Sequence, residues 1–285
     1  MNRRLVLLVY LILGLVALAA LAIIPGGERQ DFEVAAEFDL HPLVELPSIG
    51  PVDLSINKAV VYLWVTTAVL VVLALVIARS IKPVPSRFQY MMETLYELAR
   101  DGIVGSVMKS GQATWFPYIA GAFFFVLFSN LIGLIPLPLA EHGQFGFYAA
   151  TANLYVTLAL ALCTFLFTHY AGIKKNGFLR YFRNWAPPSA PPVLRQLILV
   201  IHAVSEAFRL VSLSVRLFAN MLAGHAILGV FFAMALIFQS YLAALLLQGG
   251  SVLIYLFEIF VAFIQAFIFA ILSAVYIGGA LDQEH

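Results

Sequence analysis

The sequence predicts an all-α, polytopic membrane protein: a long tilted antiparallel helix hairpin at the C-terminus, packed on further transmembrane helices, plus one interfacial amphipathic helix. Three observations predict it. Hydrophobic residues fill 62% of the 285 positions and charged residues 11%, with a mean hydropathy of +0.96, far above the roughly 45–50% apolar usage of a soluble domain. Several apolar runs reach the roughly 20 residues that a helix needs to cross a bilayer. The Lys and Arg residues gather in alternate connecting segments, as they do on the inner side of a membrane. A net charge of +1 gives no sign of a nucleic-acid partner, and the single Cys163 excludes a disulfide framework or a cysteine-based metal site. No internal repeat is visible.

Residues 1–24 read as an N-terminal membrane helix or signal sequence. Arg3 and Arg4 precede the apolar run and place the N-terminus inside, and Ala17-Leu-Ala19 and Ala20-Leu-Ala22 resemble cleavage sites. The run exceeds the usual signal core of about 7–15 residues, which favours an uncleaved helix. Residues 25–58 form an acidic external segment, with seven acidic residues against Arg29 and Lys58. The membrane domain proper is 59–285. Its first helix is 59–80. Pro83 and Pro85 then break the chain before an interfacial helix, 87–108. There Phe88, Met91, Met92, Leu95, Leu98 and Ala99 recur at helical spacing, opposite Glu93, Glu97, Arg100 and Asp101. Gly102, Gly105 and Gly111 loosen its end.

Helices 116–136 and 152–171 follow, joined by a loop with Glu141 and no Lys or Arg, hence external. Segment 79–115 carries Arg79, Lys82, Arg87, Arg100 and Lys109. Segment 171–196 carries Lys174, Lys175, Arg180, Arg183 and Arg195. Both belong inside, which leaves the C-terminus cytoplasmic. Four prolines between Trp185 and Pro192 predict an extended connector. Helix 196–239 is about twice the spanning length, roughly 60 Å, so it must tilt or break. A turn is expected at Gln248-Gly-Gly-Ser251, before the returning helix 251–281.

The polar residues inside these last two helices carry the functional argument. Positions three, four or seven apart share a helix face. Arg209, Ser212, Arg216, Asn220 and Gly224 therefore draw one stripe, extended by His202 and Ser205 and flanked by Glu206 and His225. On the last helix Ser251, Glu258 and Gln265 share a side. A lone Ser, Asn or His in a membrane helix is more often interhelical glue, worth only about 0.6 kcal/mol. Glu206 and Arg209 have the spacing to neutralise each other. Arg216 is different, because a guanidinium at membrane depth costs roughly 2.5–3.5 kcal/mol and does not deprotonate. Its bland explanation is an ion pair within the chain, with Glu258 the obvious partner. Against that, Ala219, Ala223 and Gly224 leave a small-sided surface on which another helix could approach.

These residues support a resemblance. Ser212-Leu-Ser-Val-Arg-Leu-Phe-Ala-Asn-Met-Leu-Ala-Gly224 resembles the motif of subunit a of F-type ATP synthases. So do Ser129-Asn130-Leu-Ile-Gly-Leu-Ile-Pro136, Thr151-Ala-Asn153-Leu-Tyr-Val-Thr-Leu158 and Gln265-Ala-Phe-Ile-Phe-Ala-Ile-Leu-Ser-Ala-Val-Tyr276. The likeness runs from Ala59 to the C-terminus.

It implies a proton-translocating stator subunit in a bacterial inner membrane, beside a c-subunit ring with membrane carboxylates and peripheral-stalk b subunits. Proton is the expected ion, with sodium as the alternative, and no cofactor or metal is implied. Arg216 corresponds to the family's essential arginine and Asn220 to its neighbour one turn on. His225 and Glu258 correspond to an interacting pair on the outer proton path, and Gln265 to the glutamine facing the arginine. Asn220 and Gln265 are expected to hold Arg216 by hydrogen bonds. The sequence departs from the family pattern at His202, often Glu, and Leu210, often Pro, which suggests Glu206 as a substitute acid. With His202, Ser205, Arg209, Ser212, Asn130 and Asn153, Glu206 makes a second group of channel-lining candidates. No phosphate-cradling glycine loop is present, so ATP chemistry lies in other subunits. The competing reading is a stand-alone transporter or channel using Arg216 to bind an anion.

Overall fold

A computed structural model describes residues 40–47, 55–135, 148–187, 191–237 and 241–282. The expected helix or signal in 1–24 lies outside these residues, as do most of the acidic segment and the loop holding Glu141. A short antiparallel ladder opens the described chain, β1 (Pro42–Val44) pairing with β2 (Ile56–Asn57). Asn57 then caps α1 (Lys58–Ser80), its side chain accepting from the Val60 N–H at 3.2 Å.

The interfacial segment begins at α2 (Arg87–Glu97), capped by Ser86, and passes into a π-helical stretch, Leu98–Val104, and a single turn α3 (Gly105–Val107). It packs Met92, Ala99, Ile103 and Val104 inward, while Phe88, Tyr90, Met91 and Tyr96 stay exposed. Gly111 adopts φ +72° at the head of α4 (Gln112–Gly133), a conformation that suits glycine. A 3₁₀ turn, Ala150–Ala152, leads into α5 (Leu154–Asn176). The short α6 (Phe178–Arg183) was not expected from sequence.

The two longest helices form the hairpin: α7 (Pro192–Ile237) and α8 (Tyr241–Leu281). Pro192 sits where a missing N–H costs nothing, at the first helical position, and the Arg195 N–H bonds the Pro191 carbonyl at 2.8 Å. The expected turn at 248–251 is absent, because Gln248 to Ser251 lie inside α8. Gly250 serves close packing there: a Cβ on it would meet the Phe231 ring at 2.8 Å. Ser251 Oγ donates to the Leu247 carbonyl at 3.0 Å and so stays within the helix.

Among the described residues five helices are long and apolar enough to cross a membrane: α1, α4, α5, and most of α7 and α8. α8 is the centre of the bundle, in contact with α4, α5 and α7. Its Ala262, Ala266, Ala270 and Ala274 are all buried and recur every fourth residue, a small-residue ridge that lets neighbouring backbones close in. Ile119, Phe123 and Val126 of α4 and Leu213 and Leu217 of α7 complete the core. α1 stands at the edge. Tyr62 and Thr66 point inward, while Trp64, Val71, Val72 and Val76 face outward.

Candidate functional site

α7 buries Glu206, Leu213, Ser214, Leu217, Met221, Gly224, His225 and Leu228 against the bundle. The neighbouring strip of the same helix, Ser205, Arg209, Ser212, Arg216, Ala219, Asn220 and Ala223, is exposed. Most of the predicted polar stripe is therefore the open border of the hairpin beside α8, and only Gly224 of its members is covered. Arg216 lies at the middle of this border and makes no hydrogen bond or ion pair among the described residues. The internal pairing with Glu258 does not form.

Asn220 and Gln265 meet across the hairpin, Asn220 Nδ2 donating to Gln265 Oε1 at 2.8 Å. They bond each other and not the guanidinium, which corrects the expectation that they hold Arg216 directly. The pair instead fixes the α7–α8 register one turn from the arginine.

Toward the C-terminal end of α7, Glu258 presses its carboxyl against Gly224. A Cβ built on that glycine would fall 2.1 Å from Oε2, so only glycine leaves room. Glu258 is 5% exposed and its Oε2 has no hydrogen-bond partner among the described residues. His225, the next residue on α7, does not bond Glu258. Its Nδ1 faces the Met221 carbonyl at 2.8 Å and its Nε2 the Gly133 carbonyl at 3.1 Å. A neutral imidazole has one N–H and so donates to only one of them.

His225 thereby helps to cap α4, whose last carbonyls have no partner within the helix. Tyr255 Oη donates to the Leu134 carbonyl at 3.1 Å and Tyr62 Oη to that of Ile135 at 3.5 Å. Gly133 lets Ala149 come close at this corner, since a Cβ there would lie 2.4 Å from the Ala149 Cβ. Two sequence candidates serve this corner structurally. Thr151 Oγ1 donates to Asn130 Oδ1 at 2.5 Å, and Asn153 caps α5, accepting from the Tyr155 N–H at 2.8 Å. The Asn153 Oδ1 is engaged in that cap.

Toward the N-terminal end of α7 the arrangement differs. Arg209 Nη1 donates to Glu206 Oε1, and His202 Nε2 lies 3.4 Å from the same oxygen. The Arg209 guanidinium also sits over the Tyr276 ring of α8, 5.2 Å from its centroid. A small pocket opens beside them, lined by Thr164 and Thr168 of α5, Glu206, Arg209 and Tyr276. Trp185 lies on His202 with ring centroids 4.6 Å apart, and Tyr181 bonds His169 Nδ1 at 2.8 Å. Tyr181 fits because Gly172 is bare, a Cβ there falling 2.1 Å from its ring. Burial pushes the Tyr181 hydroxyl up to about 12, so it stays protonated.

His169, Tyr181, Tyr276 and Thr168 escape a reading by helix stripes, because they come from other elements. Gly172 in an apolar run is the one signal that something approaches closely. Ser205 and Ser212 stand on the open border with no bond to this cluster.

Comparison with known proteins bears on these residues together. The model of the family described as "ATP synthase A chain" matches residues 60–278. The "ATP synthase subunit a" of Rubrobacter xylanophilus is 38% identical, covering 83% of this chain and 88% of its own. The subunit of that name from Afipia carboxidovorans is 35% identical over 87% of this chain and 98% of its own, and that of Trichlorobacter lovleyi 38% over 82% and 90%. With five spanning helices and a match over the whole of their extent except short ends, the chain belongs to the ATP synthase A chain family as a multi-pass membrane protein.

Proposed function

We propose that this chain is the stationary, proton-translocating subunit a of a bacterial F-type ATP synthase, set in the inner membrane beside a ring of carboxylate-bearing c subunits and held by peripheral-stalk b subunits. It performs no catalytic chemistry, the ATP chemistry belonging to other subunits. The N-terminus, if uncleaved, and the C-terminus face the cytoplasm. The observation that carries the reading is Arg216: the mid-membrane cation has no ion pair among the described residues and stands on an open, small-sided border.

A ring carboxylate facing lipid must be neutral, since a bare charge in hydrocarbon is prohibitive. Opposite a fixed cation its ionised form is favoured, so the proton is released there and a new one is taken on the other side. Arg216 cannot itself pass a proton on, because guanidinium stays charged. Protons must then ride the ring between two offset half-channels. Glu258 and His225 line the outer one. Glu206, His202 and Ser205 line the inner one, where Arg209 holds Glu206. The membrane potential supplies about 2.3 kcal/mol per charge per 100 mV. Proton is the expected ion, and sodium is the alternative that the ring's own site would decide.

The test is Arg216→Lys in the assembled enzyme. An ammonium can shed its proton when desolvated, so ATP synthesis in energised vesicles is expected to vanish. Normal synthesis would refute the gate. The stand-alone transporter reading instead requires solute uptake by the purified chain alone, without a ring.

A further inference from the structure

The inner cluster extends beyond the residues assigned above, and its extension is built around His169 of α5. Tyr181, seated in the notch that Gly172 leaves, bonds His169 Nδ1 at 2.8 Å. Phe165 meets the imidazole edge-on at 4.2 Å and Trp185 lies 5.9 Å away, with its other neighbour His202 at 4.6 Å. The indole thus stands between two histidines. His202 in turn reaches Glu206, and Thr168, the residue before His169, lines the pocket that holds Glu206 and Arg209. The charged and titratable groups that act on His169 from the packed elements are Glu206, His202 and Arg209 of α7, with Tyr181 of α6 as its bonded partner.

The geometry points to His169 as a second proton-exchanging group of the cytoplasmic half-channel, passing protons between the Glu206 pocket and the basic surface formed by α5 and α6. The inference rests on the proton-path reading of Glu206. Its chemistry is in the nitrogen left open. Tyr181 Oη accepts from Nδ1–H in the neutral and the charged ring alike, so that bond survives both protonation states. Among the described residues Nε2 makes no hydrogen bond. A proton taken there turns imidazole into imidazolium, and its release from the same nitrogen restores the neutral ring, with no other bond formed or broken. His225 is the contrast, since both of its nitrogens face carbonyls.

The experiment uses the whole ATP synthase in inverted membrane vesicles, following ATP-driven proton pumping over a range of bath pH, the bath being the cytoplasmic side. His169→Gln keeps a polar side chain of similar reach but cannot exchange a proton. It is expected to lower pumping and shift the pH limb of the profile, and Tyr181→Phe, which keeps the ring in its notch, to shift that limb in the same direction by less. A profile unchanged in both variants, or a fall uniform across pH, would assign His169 to packing and overturn the proposal. If His169→Gln does not assemble, the profile of Tyr181→Phe decides alone. Arg216→Gln runs in parallel: pumping that survives it refutes the subunit reading itself, whereas pumping lost in Arg216→Gln beside a normal His169→Gln profile refutes only the present inference.

Discussion

Glu206 and Glu258 are buried almost equally, 7% and 5% exposed, on opposite sides of Arg216 along the hairpin, yet they are built by opposite rules. Glu206 is held by Arg209 and approached by His202. Among the described residues Glu258 is held by shape alone, its carboxyl seated on the bare backbone of Gly224 with no hydrogen bond to Oε2. Glu258 offers an oxygen with no partner among the described residues, whereas Glu206 has an oxygen already taken by Arg209. Burial alone therefore does not define a proton site; what the neighbours demand of the oxygen does.

The largest expected effect comes from removing the shape that holds Glu258. Gly224→Ala puts a methyl group 2.1 Å from Oε2, so the carboxyl must leave its seat, at an overpacking cost of about 1–3 kcal/mol. Proton-driven ATP synthesis in vesicles should fall as far as it does in Glu258→Gln, with the passive seal at Arg216 intact. A Gly224→Ala enzyme that matches the wild type while Glu258→Gln is slow would show that the notch is incidental.

The opposite site breaks through charge. Arg209→Gln leaves Glu206 with His202 alone, and losing a partner to a buried charge costs up to about 3–5 kcal/mol, reduced here because the Arg209 side chain is 44% exposed. Pumping should become more sensitive to bath pH on the cytoplasmic side. Arg209→Lys, which keeps the charge, should recover most of it. Equal losses in both variants would mean that Arg209 acts through its packing on Tyr276 and not through Glu206.

Between the two sites, Asn220→Ala removes the donor to Gln265, leaving a buried acceptor at a cost of about 1–2 kcal/mol. A double-mutant cycle with Gln265→Ala should show that the two effects are not additive. Additive effects would place each residue's role on Arg216, as the sequence alone suggests.

How much of this was legible from the sequence follows from the kind of pattern each feature leaves. The five described spans, the interfacial helix and the stripe through Arg216 are periodic, and periodicity survives in one dimension. Glu206 with Arg209 was legible as a spacing of three. The bond between Asn220 and Gln265 was not, because it joins residues 45 apart and depends on the register of two helices. The reversal near 248–251 was misread because glycines mark both turns and close contacts. In α8 Gly250 serves a contact with Phe231, and the apolar length of the helix outweighs about 1 kcal/mol per glycine. The His169 to Tyr181 pair left no trace in either helix stripe, since its partner comes from a six-residue helix outside the spans.

The smallest effect separates scaffold from path. Asn153 resembles a channel residue by motif, but its side chain is occupied as the cap of α5, and its backbone carbonyl accepts the Thr157 N–H at 3.1 Å independently of the side chain. Asn153→Ala should therefore lower the thermal stability of the purified enzyme by about 0.5–1 kcal/mol, the lower part of the range for a lost cap. Asn153→Ser, another good cap, should restore it. Proton pumping per ATP should not change in either variant. If pumping falls in both while stability holds, Asn153 faces the proton path after all, and the outer half-channel lined by His225 extends past Gly133 to the head of α5.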